Sequence, residues 1–204
     1  MKKLIFLFLS FVALQAEAQH NYGYIVWDSN IPLSNTSWIG STSSKGGKAG
    51  YRAFLNNNSR ISIGGDINWA TYDEYAPKET FPNGNGAITT DYFKAIYSYG
   101  ITVSGQYYFP IGEKELFFPY VGLGLGANYN RYMMYYNIYA PEESKGGFLA
   151  RPETGILVRF GTRKSLGLMA AVHYDYSTSK SESYGYDNFT AFGFQIGAIF
   201  MNRY

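Results

Sequence analysis

Tyr97-Ser98-Tyr99-Gly100-Ile101-Thr102-Val103-Ser104-Gly105-Gln106-Tyr107-Tyr108-Phe109 alternates along its whole length. Odd positions are aromatic, β-branched or Gly. Even positions are small or polar, apart from Tyr108. Successive side chains of a strand point to opposite faces, so this stretch is a strand with one apolar face and one polar face. The pattern recurs outward from it. Ile61, Ile63, Ile67 and Trp69 oppose Ser62, Gly64, Asp66 and Asn68. Val121, Leu123, Leu125, Ala127 and Tyr129 oppose Gly122, Gly124, Gly126 and Asn128. Phe148, Ala150, Ile156, Val158 and Phe160 oppose Arg151, Glu153, Gly155, Leu157 and Arg159. Leu168, Ala170, Val172, Tyr174 and Tyr176 oppose Met169, Ala171, His173, Asp175 and Ser177. Phe192, Phe194, Ile196, Ala198 and Phe200 oppose Gly193, Gln195, Gly197, Ile199 and Met201.

A soluble barrel also alternates, with its apolar face inside. The polar face separates the two cases. A face in bulk water carries many Lys and Glu. Here it carries Gly, Ser, Asn, Thr and Gln with a few charges of both signs, while Lys45, Lys114, Lys145, Lys164 and Lys180 fall in turns and loops. That is the composition of a narrow lumen, filled by small residues and paired charges. The apolar face ends in aromatics such as Tyr107, Phe109, Phe160, Tyr129 and Tyr174, as expected of two interfacial girdles.

Composition agrees. Aromatics are 19% of the 204 residues and charged residues only 16%, against about 25% charged in average proteins. After the N-terminus no apolar run is long enough for a helical span. The N-terminus itself reads as a secretory signal over residues 1–18. Lys2 and Lys3 precede an apolar run from Leu4 to Leu14, and Ala16-Glu17-Ala18 supplies small residues for cleavage before Gln19. Residues 19–204 are then one domain. The chain has no Cys, which excludes disulfides, thiolate catalysis and Cys-based metal sites. A formal charge of +2 with no dense basic run gives no sign of a nucleic-acid partner.

Strands are expected at 22–31, 46–55, 61–75, 91–109, 117–136, 148–160, 166–178 and 189–204. Tight connections at 56–60, 110–115 and 161–165 alternate with longer polar stretches at 32–45, 76–90, 137–147 and 179–188. The fold expected is all-β: a closed antiparallel up-and-down transmembrane barrel of about eight strands, with short periplasmic turns and long outer loops. Trp38-Ile39-Gly40 leaves a ten-stranded alternative open.

Gly50-Tyr51-Arg52, Pro119-Tyr120-Val121-Gly122-Leu123-Gly124, Arg151-Pro152-Glu153 and the terminal Phe192–Phe200 alternation together resemble the bacterial outer-membrane β-barrel, porin-like family. The chain is similar in size to its OmpA/OmpX-type small barrels. The resemblance implies an outer-membrane location reached by the secretory pathway, contact with outer-membrane lipid, and a monomeric barrel. It also implies biogenesis through periplasmic chaperones and the barrel-assembly machinery. The family's C-terminal assembly signal would map to Ile196, Phe200 and Tyr204; Asn202 departs from it, standing where an apolar residue is usual.

Arg52, Asp66, Arg151, Glu153, Arg159 and Asp175 all fall on the polar face. Charges there must be paired or hydrated, so they form either a structural network that plugs the lumen or the lining of a narrow pore. His173, Asp175 and Ser177 share one face, but neighbours on one face of a strand stand about 6–7 Å apart, too far for a nucleophile and its base. No metal motif, cofactor loop or other catalytic constellation is present; Gly122–Gly126 lies within a strand and precedes no helix. Asp73, Glu74, Lys78, Glu79, Glu142, Glu143 and Lys145 are expected in outer loops. The function expected is a non-enzymatic barrel with a structural, envelope-integrity or surface-interaction role. A narrow pore for small solutes is the alternative, and a lipid-modifying enzyme a more distant one.

Overall fold

A computed structural model describes residues 20–55, 60–83, 86–112, 116–160 and 165–203. The expected signal at 1–18, the centres of the tight connections, and Tyr204 lie outside the described residues. The chain forms β1 (His20–Pro32), β2 (Ser43–Phe54), β3 (Ile61–Asn83), β4 (Gly86–Tyr108), β5 (Phe117–Tyr136), β6 (Glu142–Arg159), β7 (Leu166–Ser177) and β8 (Phe189–Arg203). Each strand pairs antiparallel with the next, and β1 pairs with β8 to close the barrel. Eight strands, not ten, make the wall. Trp38-Ile39-Gly40 lies in the β1–β2 connection, with Ile39 fully buried.

Alternation sets which way every side chain faces. Ile67, Ile101, Val103, Leu123, Leu125, Phe194 and Ile196 stand half-exposed on the outer wall. A belt of this kind does not suit a face turned to water. It fits lipid, because closing the sheet pairs the backbone groups that hydrocarbon cannot satisfy. The belt ends in aromatics at both rims: Tyr107, Phe109, Phe117 and Phe160 at the end with the short turns, Trp69, Tyr99, Tyr129 and Tyr174 toward the other.

The short-turn end behaves as the sequence indicates at its described flanks. Leu55 N–H donates to Ile61 O at 2.9 Å and Ile111 N–H to Phe117 O at 3.0 Å. The opposite end differs from expectation. Most of 76–90 is ladder, not loop: β3 and β4 stay paired from Thr71↔Tyr97 to Asn83↔Gly86, with a bulge between Ala76 and Glu79. Likewise β6 begins at Glu142, so Asp73, Glu74, Lys78, Glu79, Glu142, Glu143 and Lys145 lie on strands. The physical reason is that this ladder runs beyond the belt, where polar side chains suit both faces and alternation is lost. Pro77 and Pro82 are tolerated because β3 has no β2 partner past Trp69 and becomes an edge strand there. Cross-strand pairs hold the projection together: Thr80 and Thr89 hydroxyls at 2.9 Å, and Phe81 stacked on Tyr136 at 4.5 Å.

Candidate functional site

The lumen is filled in layers. At the turn end Tyr22, Phe54, Tyr108, Phe118, Tyr120, Leu157, Met169 and Ile199 pack together as a buried cluster. The Tyr22 and Tyr108 hydroxyls meet at 2.5 Å, and Tyr22 donates to Gln106 at 3.1 Å. This floor joins apolar packing to the polar layer above it.

The middle layer holds two ionic groups. In the first, the Arg52 Nη2 lies 3.1 Å from both Asp66 oxygens, and Nη1 donates to Ser104 Oγ at 2.8 Å. The Tyr24 and Ser104 hydroxyls also donate to Asp66. Glu153 accepts from Lys48 Nζ at 2.6 Å, from Gln195 at 3.2 Å and from Gln106, and stands 3.6 Å from Arg52. In the second group Arg151 grips Asp175 by both edges, Nε and Nη2 each at 2.5 Å. Asp28 lies 3.9 Å from Arg151 and 3.7 Å from His173 Nε2, which is 3.1 Å from Asn30 Oδ1. The β6–β7 ladder omits Arg151 and Pro152, and Pro152 has no N–H to give it.

Space for these long side chains comes from glycine. A Cβ at Gly50 would strike Asp66 Oδ1 and the Tyr24 hydroxyl; one at Gly193 would strike the His173 ring and Asn30. At the inward Gly122 a Cβ would strike the Gln106 side chain.

Toward the loop end the polar chain continues from Ser177 to Asn128 at 2.7 Å, then Asn130, then the Tyr132 hydroxyl. An aromatic cap covers it. Tyr72, Ile96, Tyr132 and Phe189 come from the wall, while Trp38, Ile39, Tyr184 and Tyr186 fold in from two connections. Trp38 and Tyr184 ring centres are 4.8 Å apart, and Tyr132 and Tyr186 are 5.1 Å apart. Two carboxylates latch those connections. Glu74 accepts from the Gly40 and Ser41 amides at 2.7 and 3.1 Å. Glu143 accepts from Ser181 Oγ at 2.5 Å and the Ser183 amide at 3.3 Å, with Lys145 Nζ at 3.1 Å.

The Ser181 hydroxyl, then Lys145 and Ser183, hold the Glu143 carboxyl down at about 2, from an ordinary 4.5. A depressed carboxylate stabilises the folded latch above pH 4.5, and that contribution fades as pH falls toward 2. The Ser183 amide proton shift should therefore titrate near pH 2 by NMR. In Glu143→Gln that titration is absent.

Of the residues singled out from sequence, Arg52, Asp66 and Glu153 meet in one group and Arg151 and Asp175 in the other. Arg159 stands apart, nearer the turns, with its guanidinium 5.6 Å from the Phe118 ring centre. Ile196 and Phe200 lie on the outer face of β8. Lys48 and Asp28 were missed. Lys48 shares parity with Gly50 and Arg52, and Asp28 with Tyr22, Tyr24 and Val26, so alternation in these two strands carried the signal. Lys48 is a lysine inside the lumen, buried to 1% exposure; its charge is tolerated because Glu153 lies against it. Ser177 is engaged by Asn128 and by the Ser179 amide, so His173, Asp175 and Ser177 do not assemble as a trio. Among the described residues no cluster of His, Asp and Glu is arranged to hold a metal.

No protein-family model matches the sequence, and neither does any curated relative. Solved structures do match. Ail, the attachment invasion locus protein of Yersinia pestis, aligns with a TM-score of 0.56 at 13% identity, over 90% of this chain and 99% of that one. Ail in complex with the heparin analogue sucrose octasulfate aligns at 0.52 and 15% identity, over 90% and 98%. Neisserial surface protein A aligns at 0.50 and 15% identity, over 89% and 95%. The agreement covers nearly the whole of each chain, and with the closed eight-stranded wall it gives this chain the same fold as these small barrels.

Proposed function

We propose that the protein is a non-enzymatic barrel of a bacterial outer membrane, with a sealed lumen and a working surface at its loop end. One observation carries the reading: the lumen is filled from the Tyr22 and Tyr108 floor, through paired charges, to the Trp38 and Tyr186 cap. Eight strands enclose only enough room for side chains. The lipid-fitted belt, the export signal expected at 1–18 and the outer-membrane barrels among its structural neighbours support the location. Entry into the membrane would use the assembly signal expected at Ile196, Phe200 and Tyr204.

A filled barrel does its work outside itself. The projecting β3–β4 ladder is a stiff platform, and the β1–β2 and β7–β8 connections are latched to the wall through Glu74 and Glu143. Rigid display of polar and aromatic side chains suits a surface-interaction role. The test replaces residues 77–90 with a two-residue turn, leaving the wall intact. The reading expects adhesion of expressing cells to a host or abiotic surface to fall at least severalfold. Heat-modifiable gel migration and envelope permeability stay unchanged. Unchanged adhesion with a leaky envelope would point to a purely structural role.

A further inference from the structure

The apolar outer face of β4 is taller than the hydrocarbon layer it would cross. Along β4, outward side chains stay apolar or aromatic from Tyr107 through Val103, Ile101, Tyr99 and Tyr97 to Phe93. That is roughly 46 Å of strand, or about 35 Å of height at a tilt near 40°. The apolar band of such barrels is about 25 Å tall. The top rows therefore stand above hydrocarbon, among lipid headgroups.

Those rows are built across strands. Trp69, Tyr99 and Tyr129 form one, Thr71, Tyr97 and Arg131 the next but one, and Tyr75, Phe93 and Tyr135 the highest. Between them lies a hollow of about 490 Å³ lined by Tyr97, Tyr99, Tyr129, Arg131, Tyr135 and Glu142. Its only cation is met at once: Arg131 Nε lies 2.9 Å from Glu142 Oε2, and Nη2 donates to the same oxygen. The hollow thus offers tyrosine faces and hydroxyls around a self-neutralised pair. It has no surplus charge for a phosphate. Aromatic faces with a few fixed polar groups suit a hydroxyl-rich, uncharged ring whose C–H face can lie on tyrosine.

We infer that this hollow binds the sugar headgroup of an outer-leaflet glycolipid. The occupant is lipid-borne because the hollow is continuous with the lipid-facing belt below it. The inference rests on the membrane reading above, and the experiment keeps the two apart. The full chain is placed in nanodiscs containing equal digalactosyl diacylglycerol, phosphatidylglycerol and phosphatidylethanolamine, and retained lipids are counted by native mass spectrometry. Digalactosyl diacylglycerol should be enriched roughly tenfold over phosphatidylglycerol, the effect of two aromatic contacts. Tyr97→Ser with Tyr129→Ser should abolish the enrichment while heat-modifiable migration persists. Should that pair fail to fold, Arg131→Gln with Glu142→Gln serves instead and should lower enrichment severalfold. Equal retention of the three lipids, preference for phosphatidylglycerol, or enrichment that survives a folded variant would overturn the site. Failure of the wild-type chain to enter nanodiscs would overturn the membrane reading and the site with it.

Discussion

Glu153→Leu is expected to destabilise the barrel by about 3–5 kcal/mol, the usual cost of stranding a buried charge. Glu153 is the acceptor on which Lys48, Gln106 and Gln195 converge, and it also faces Arg52. Lys48 and Arg52 side chains are essentially without solvent contact. Removing the carboxylate leaves the Lys48 ammonium with no carboxylate in direct contact among the described residues, and Arg52 with Asp66 as its one remaining ion-pair partner. The same logic predicts a sign reversal in a pairwise test. Lys48→Met with Glu153→Leu should cost less than Glu153→Leu alone, since apolar volume then replaces a pair whose desolvation was never fully recovered. Urea-induced unfolding in detergent or bilayer, followed by heat-modifiable migration, measures both. A loss below about 1 kcal/mol for the single variant would mean that water reaches the layer and that the charges are hydrated instead of paired.

That layer was partly legible in the sequence, and the limits are instructive. Strict alternation in β4, β6 and β7 is enough to aim Arg151, Glu153 and Asp175 inward, because lipid on the other face tolerates no charge. Alternation fails where the wall meets no lipid. Past Trp69 both faces of β3 are wet, so polarity and Pro77 imitate a loop although the ladder continues. In β1 and β2 the parity that sends Asp28 and Lys48 inside is present but weakly marked, because Tyr22 and Tyr24 face the lumen and Gly46, Gly47 and Gly50 carry no side chain to read. The cap was beyond local reading altogether. Trp38 and Tyr186 lie in polar connections, and long-range contacts such as Asn35 with Tyr184, Glu74 with the Gly40 amide and Glu143 with Ser181 fold them over the mouth.

The cap and the charged layer make separate claims about the lumen. Trp38→Ala with Tyr186→Ala removes two rings from the cap and opens the mouth. Conduction should still be absent, because the Arg151 and Asp175 grip and the Lys48, Arg52 and Glu153 group close the lumen beneath. Side chains fill a barrel of this strand number, so the charged layer is expected to block it without the cap. A variant that conducts after loss of the cap alone would relocate the seal to the loops and make the charged residues a pore lining. Single-channel recording of the unmodified protein in a planar bilayer is the most direct measurement of the central claim. The filled lumen predicts insertion without resolved conductance steps. Stable, reproducible open steps would contradict it.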